Sequence, residues 1–264
     1  MASHSASLYG SPPRPGCVYL VGAGPGDPGL LTLRAAELLA RADVVFFDHL
    51  VGDGVLARVA PEARLVDVGK VGHGPRTEQN AIERQLVASA RAGHVVVRLK
   101  GGDPLLFGRG AEEAVALDVA GIPFEIVPGV SSALAAPAYA GIPVTARGYA
   151  ASVAIVTGHS TAGTPVPIPA ADTIVVLMGV ANAAAIRDQL LATGRSPETP
   201  AAVIEWGTCA AQRVGIGTLV TLPELIAREG LGAPSILVIG EVVRLRARLD
   251  WHARAVRPIE RVPQ

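Results

Sequence analysis

The sequence predicts an α/β protein, and three features carry that prediction. Short apolar runs rich in Val and Ile alternate with helical patterns along the chain. Half of the 264 residues are hydrophobic and only 17% are charged, the balance of a chain with a large core. Several apolar runs stop at glycine-rich turns, as strands of a parallel sheet do where they hand over to helices. The length suits one large domain or two small ones, and the composition excludes a disordered chain.

Residues 1–16, MASHSASLYGSPPRPG, lack the basic start and apolar core of a signal peptide and read as a flexible tail. Residues 18–22 form the first buried strand. A helix over 31–42 follows, with Leu31, Ala35, Leu38, Leu39 and Ala42 on one face. ADVVFFDHLV (42–51) is a second strand leading to Asp48, and 64–69 a third. A helix over 79–92 closes at Gly93, which suits a C′ position. HVVVRLKGGDP (94–104) is another buried strand, a helix near 110–120 ends at Gly121, and PFEIVPGV (123–130) is a strand stopped by Pro-Gly.

Then the composition shifts. Residues 135–150 hold two prolines and two glycines, which fits a helix followed by a linker at 142–150. A second series has strands near 152–157, 173–178 and 201–206, a helix at 181–193 and a hairpin-like 212–220. A helix at 223–229 and a last strand at 235–243 complete it. The expected organisation is an N-terminal α/β domain over 17–141, a C-terminal one over 151–245, and a tail over 246–264 with solvated arginines.

Twenty-three basic residues offset twenty-three acidic ones, so nothing global favours nucleic acid or an anionic membrane. Cys17 and Cys209 lack zinc-site spacing, so no metal is expected and reduced thiols are. No apolar run reaches the roughly 18–20 residues of a membrane span. A soluble, cytoplasmic protein is expected.

The first loop poses the functional question. VYLVGAGPGDPGLLTLRAAELL (18–39) resembles the strand, glycine turn and helix of a dinucleotide site. Gly22 and Gly24 match GxGxxG, but the third position is Asp27, with Gly26 one residue early. Pro25 has no N–H, and an aspartate at a helix mouth repels phosphate. Asp48, about 20 residues on, still mimics the ribose-binding acid of that motif. The loop better suits a cationic ligand without phosphates, such as S-adenosylmethionine; the plainer alternative is that Asp27 caps the next helix while the glycines allow a tight turn, and both can hold together. RLKGGDPLLFGRG (98–110) adds Gly101, Gly102 and Asp103 at a strand end, where ligands of α/β sheets bind.

Longer blocks extend the comparison. They are VGAGPGDPGLLTLRAAELL, VVFFDHLV, VRLKGGDPLLFGRGAEE, VPGVSSALAAPAYAGIPVTARGYA, VTGH, GTCAAQRVGIGTL and GAPSILVIGEVV. In this order, over about 18–244, the chain resembles the tetrapyrrole (class III) methyltransferases.

The resemblance implies two α/β domains with mixed, largely parallel sheets and a cofactor cleft between them, in a homodimer. It implies S-adenosylmethionine as methyl donor, S-adenosylhomocysteine as product and no metal. The expected reaction is methylation of uroporphyrinogen III at C2 and C7 to precorrin-2, towards sirohaem or cobalamin. The family's cofactor contacts fall on Pro25, Gly101, Gly102, Asp103, Leu106, Ser131, Ser132, Met178 and Gly207. Its proton acceptor and donor fall on Asp48 and Lys70.

Lys100, Arg109 and Arg147 are candidates for the carboxylates of the macrocycle, while His73 and His159 read as polar contacts. Three positions depart from the family pattern: His49 stands where arginine is usual, Leu177 where tyrosine is, and Glu83 where asparagine is. No dehydrogenase–chelatase segment is recognisable, so a methyltransferase-only chain is expected.

Overall fold

A computed structural model of the chain describes residues 11–69, 79–159 and 166–252. The chain divides into two compact units, at Ser131 and Ser132. In the first unit the elements run β1 (Val18–Gly22), α1 (Leu33–Leu39), β2 (Val44–Phe47), α2 (Asp53–Leu56), β3 (Arg64–Asp67), α3 (Gln79–Arg91), β4 (Val96–Lys100), α4 (Gly110–Val119) and β5 (Phe124–Val127). The strands form one sheet in the order β3-β2-β4-β1-β5. Every pairing in it is parallel.

Side chains alternate across that sheet with the strand period of two. Tyr19, Val21, Val45, Val97 and Leu99 pack with Leu38 and Leu39 of α1 on one face. Val18, Leu20, Val44, Phe46 and Val96 pack with Leu86 of α3 and Leu117 of α4 on the other. Helices on both faces explain why β1 reads as an unbroken apolar run.

The second unit runs α5 (Ser132–Tyr139), β6 (Val153–Thr157), β7 (Thr173–Leu177), α6 (Ala183–Ala192), β8 (Pro200–Glu205), β9 (Arg213–Thr218), α7 (Leu222–Glu229), β10 (Ser235–Ile239) and α8 (Arg246–Leu249). Its sheet has the order β6-β7-β10-β8-β9. Only β6 and β7 are parallel to each other; β10 lies antiparallel to both β7 and β8. Ile174, Val176, Val203, Leu237 and Ile239 form its core with Ile186 and Leu190 of α6 and Leu222 and Leu225 of α7.

Three expectations change. The segment 212–220 is not itself a hairpin, because β9 is the second arm of an antiparallel pair with β8. The linker expected at 142–150 falls inside the second unit, which begins at Ser132 because α5 packs on β7 and β10. Within that stretch Ile142 is fully buried and Ala146 and Ala150 exchange backbone hydrogen bonds. The C-terminal tail starts as docked structure. Arg246 donates to the Ala140 carbonyl, and the Trp251 indole N–H donates to that of Ala138 at 3.0 Å.

Candidate functional site

Parallel strands deliver all their C-terminal ends to one sheet edge, and in the first unit that edge carries the expected residues. Pro25 follows β1, Asp48 follows β2, Gly101–Asp103 follow β4, and Ser131 follows β5. In the second unit β6, β7 and β8 likewise end at one edge, placing Gly158, Met178 and Gly207 there. Lys70 and His73 lie outside the described residues.

Three glycines knit the first edge together. A Cβ on Gly22 would stand 2.5 Å from the Gly129 Cα and 2.6 Å from the Gly102 carbonyl oxygen. A Cβ on Gly129 would stand 2.3 Å from that same oxygen. Gly24 and Gly102 exchange two backbone hydrogen bonds, of 3.2 and 2.7 Å. Only bare backbone allows three turns to approach so closely. Gly101, by contrast, is exposed, and a Cβ there would meet Leu50 Cβ at an ordinary contact distance of 3.9 Å.

The carboxylates of these turns have structural partners. Asp27 caps a short 3-10 turn, Pro28–Leu30, accepting from the Gly29 N–H at 2.7 Å. Asp103 accepts from the Leu105 N–H at 2.9 Å and from the Gly129 N–H at 3.1 Å. It therefore ties the turn after β4 to the turn after β5. The first loop offers few N–H groups to a pyrophosphate at its mouth, since Pro25 and Pro28 have none and Asp27 occupies that of Gly29.

Asp48 is a third exposed and accepts from buried Arg98. Glu113 accepts on one oxygen from Arg98 Nε at 3.0 Å, Lys100 Nζ at 3.1 Å and Gln79 Nε2 at 3.2 Å. Lys100 is thus no surface contact for a substrate carboxylate; it is 2% exposed and committed to Glu113. Burial foremost, then the like charge of Arg98, push its ammonium below the ordinary value. Arg109 and Arg147 are exposed. Arg109 pairs with Glu112 at 2.6 Å, which raises its pKa.

Backbone strain marks the same loops. The non-glycine residues with positive φ among those described are Phe107, Arg109, Met178, Trp206 and Thr208. Phe107 and Arg109 follow Leu106, and Trp206 and Thr208 flank Gly207. Each such residue costs on the order of 1–3 kcal/mol, and such costs gather at functional sites. Met178 is exposed at φ +55°, so it is not a core side chain. Gly207 is packed, its Cβ position lying 2.3 Å from Ala136 Cβ on α5. Ser132 opens α5, and Ser131 just before it is buried. His159 is exposed beside Thr157.

Two grooves lie elsewhere. One of about 790 Å³ is lined by Pro200, Ile216, Thr218, Arg244 and Arg246, at the opposite end of β8 from Gly207. A second, of about 570 Å³, lies against Trp251 and Pro143. Neither contains an expected residue. Glycine turns, strained loops and a held carboxylate outweigh volume in locating the site. Among the described residues no cluster of His, Cys, Asp and Glu could hold a metal ion. None of their helices is long and apolar enough to cross a membrane.

Residues 17–223 match the model of the tetrapyrrole (corrin/porphyrin) methylases. The chain belongs to that family. A siroheme synthase of Pseudomonas fluorescens (strain Pf0-1) is 50% identical over 241 residues, 89% of this chain and 52% of that protein. The chain spans about half the length of the siroheme synthases it matches. The uroporphyrin-III C-methyltransferase of Thermus thermophilus superposes with a TM-score of 0.78 at 47% identity, covering 89% of this chain and 98% of that one. A structure of the Thermus enzyme complexed with S-adenosylhomocysteine superposes at 0.75 and 43% identity, covering 86% of this chain and 99% of that one. The two-sheet α/β fold of this methylase is that of these neighbours.

Proposed function

We propose that this chain is a uroporphyrinogen-III C-methyltransferase. In this reading it methylates C2 and then C7 of uroporphyrinogen III to give precorrin-2, and it works as a homodimer. The observation that carries the proposal is Asp48, held by a buried arginine beside open glycine backbone. The extensive likeness to the Thermus enzyme supports it.

The residues present fit S-adenosylmethionine better than a dinucleotide. The turn after β1 is poor in N–H groups for phosphate, carboxylates border the edge, and Gly101 leaves room for a ligand against the main chain. In this reading Pro25, Gly101, Gly102, Asp103, Leu106, Ser131, Ser132, Met178 and Gly207 hold the cofactor. Met178 offers a soft, exposed side chain for an aromatic face.

When bound, S-adenosylmethionine supplies a sulfonium methyl that an electron-rich pyrrole carbon attacks directly, with S-adenosylhomocysteine as leaving group. The chain then contributes alignment and proton handling rather than a covalent nucleophile. Asp48 takes up the proton released by the alkylated ring, and Lys70 is the proton donor. Arg109 and Arg147 meet the carboxylates of the macrocycle.

Anaerobic incubation of the protein with uroporphyrinogen III and S-adenosylmethionine tests the reading. The expected result is S-adenosylhomocysteine together with a doubly methylated product by mass spectrometry. Absence of both overturns it, and preferential turnover of precorrin-2 would move the chain to a later step.

A further inference from the structure

Arg98 and Glu113 have no direct part in that reading, yet both are sealed inside the first unit, at 3% and 0% side-chain exposure. They belong to a line of charges that starts at Asp48. Arg98 donates through Nη2 to Asp48 Oδ1 and through Nε to Glu113 Oε1. Its Nη1 donates to the Leu99 carbonyl at 3.2 Å. Lys100, 2% exposed, donates to the same Glu113 oxygen. Two cations and two carboxylates leave the line neutral.

A buried line of charge is poor evidence of stabilisation. Desolvation offsets the attraction, and well-packed apolar residues of similar volume often serve a core as well or better. This one also leaves Glu113 Oε2 buried with no hydrogen-bond partner. Sequence economy would put Val or Ile at these places in a parallel sheet. What apolar side chains cannot do is hold a carboxylate in one orientation at the sheet edge. The guanidinium does so because its planar fork addresses Asp48 and Glu113 at once, which a lysine ammonium cannot match.

We infer that Arg98 is a positioning residue for the Asp48 carboxylate, and that Glu113 holds the guanidinium in the orientation that aims it. The inference rests on Asp48 as the proton acceptor. Arg98 itself is 3% exposed and acts through Asp48.

The test is a double-mutant cycle on the full chain under anaerobic turnover, with S-adenosylhomocysteine binding measured by calorimetry. Arg98→Met and Arg98→Lys should each lower kcat about tenfold or more, with KM and the Kd for S-adenosylhomocysteine within about twofold of wild type. In the Asp48→Asn background, either Arg98 substitution should cost no further activity. A wild-type kcat in Arg98→Lys overturns the inference, as does a full additional loss in the double variant. If Arg98→Met does not fold, Arg98→Lys, which keeps the charge and most of the volume, carries the same cycle. Wild-type turnover by Asp48→Asn removes the proton-acceptor reading and this inference together. A slow Asp48→Asn with unaffected Arg98 variants removes this inference alone.

Discussion

At Asp103 the carboxylate serves two backbone N–H groups before any ligand arrives, those of Leu105 and Gly129. Asp103→Ala should therefore lose about 1–3 kcal/mol of stability in urea unfolding. It should also weaken S-adenosylhomocysteine binding, because the turns after β4 and β5 would lose their tie. Unchanged stability would show that water replaces both bonds at no cost. Lys100 makes a prediction about pH. Burial and Arg98 lower its pKa from 10.5, while Glu113 and Asp48 face it and oppose the shift. Between the folded value and 10.5 the unfolded chain binds more protons. The stability contributed by Lys100 thus grows as pH rises through that window and is lost as pH falls through the folded value. Urea unfolding of wild type and Lys100→Met across the alkaline range should show the wild type gaining on the variant as pH rises. A difference independent of pH would contradict the shift.

Among elements, the turns after β1, β4 and β5 stand or fall together, since Gly22, Gly102 and Gly129 touch through backbone alone. Gly22→Ala or Gly129→Ala places a methyl within 2.5 Å of main-chain atoms that cannot rotate away. Each should cost about 3 kcal/mol or more, or abolish folding, as judged by denaturant titration. Alanine accepted at wild-type stability would mean that the turns can separate. In the second unit the start of the C-terminal tail is an element in its own right. Trp251 meets the Tyr139 ring edge-on at 5.1 Å and bonds the end of α5. Trp251→Ala should lower stability by about 1–2 kcal/mol in the same titration, although the side chain is half exposed. No loss would return the tail to the solvated role expected for it.

For the molecule as a whole, ligand linkage separates the two readings of the first loop. S-adenosylhomocysteine at about one hundred times its Kd should stabilise the folded chain by ~2.7 kcal/mol. For a chain of this size that is a Tm rise on the order of 5–10 °C. NAD at the same concentration should leave Tm unchanged. The reverse pattern would restore the dinucleotide site that Gly22, Gly24 and Asp48 imitate. Sedimentation velocity tests the proposed homodimer, and a monomer throughout the concentration range would remove it.

Much of this protein was legible because local chemistry dictates it. An apolar run ended by glycine located β1 of the first unit, since a strand covered on both faces needs no polar alternation. The departures from GxGxxG argued against phosphate through the missing N–H of Pro25 and the charge of Asp27, both properties of single residues. The pairing of β9 with β8 was illegible, because periodicity records a strand and not its partner. The fate of Lys100 depended on strand register and on a helix 13 residues further along, which no spacing rule connects. Arg98 and Glu113 went unnoticed for the same reason. Only tertiary structure brings opposite charges from a strand and a helix into one dry place, and only there does an arginine acquire the task of aiming an aspartate.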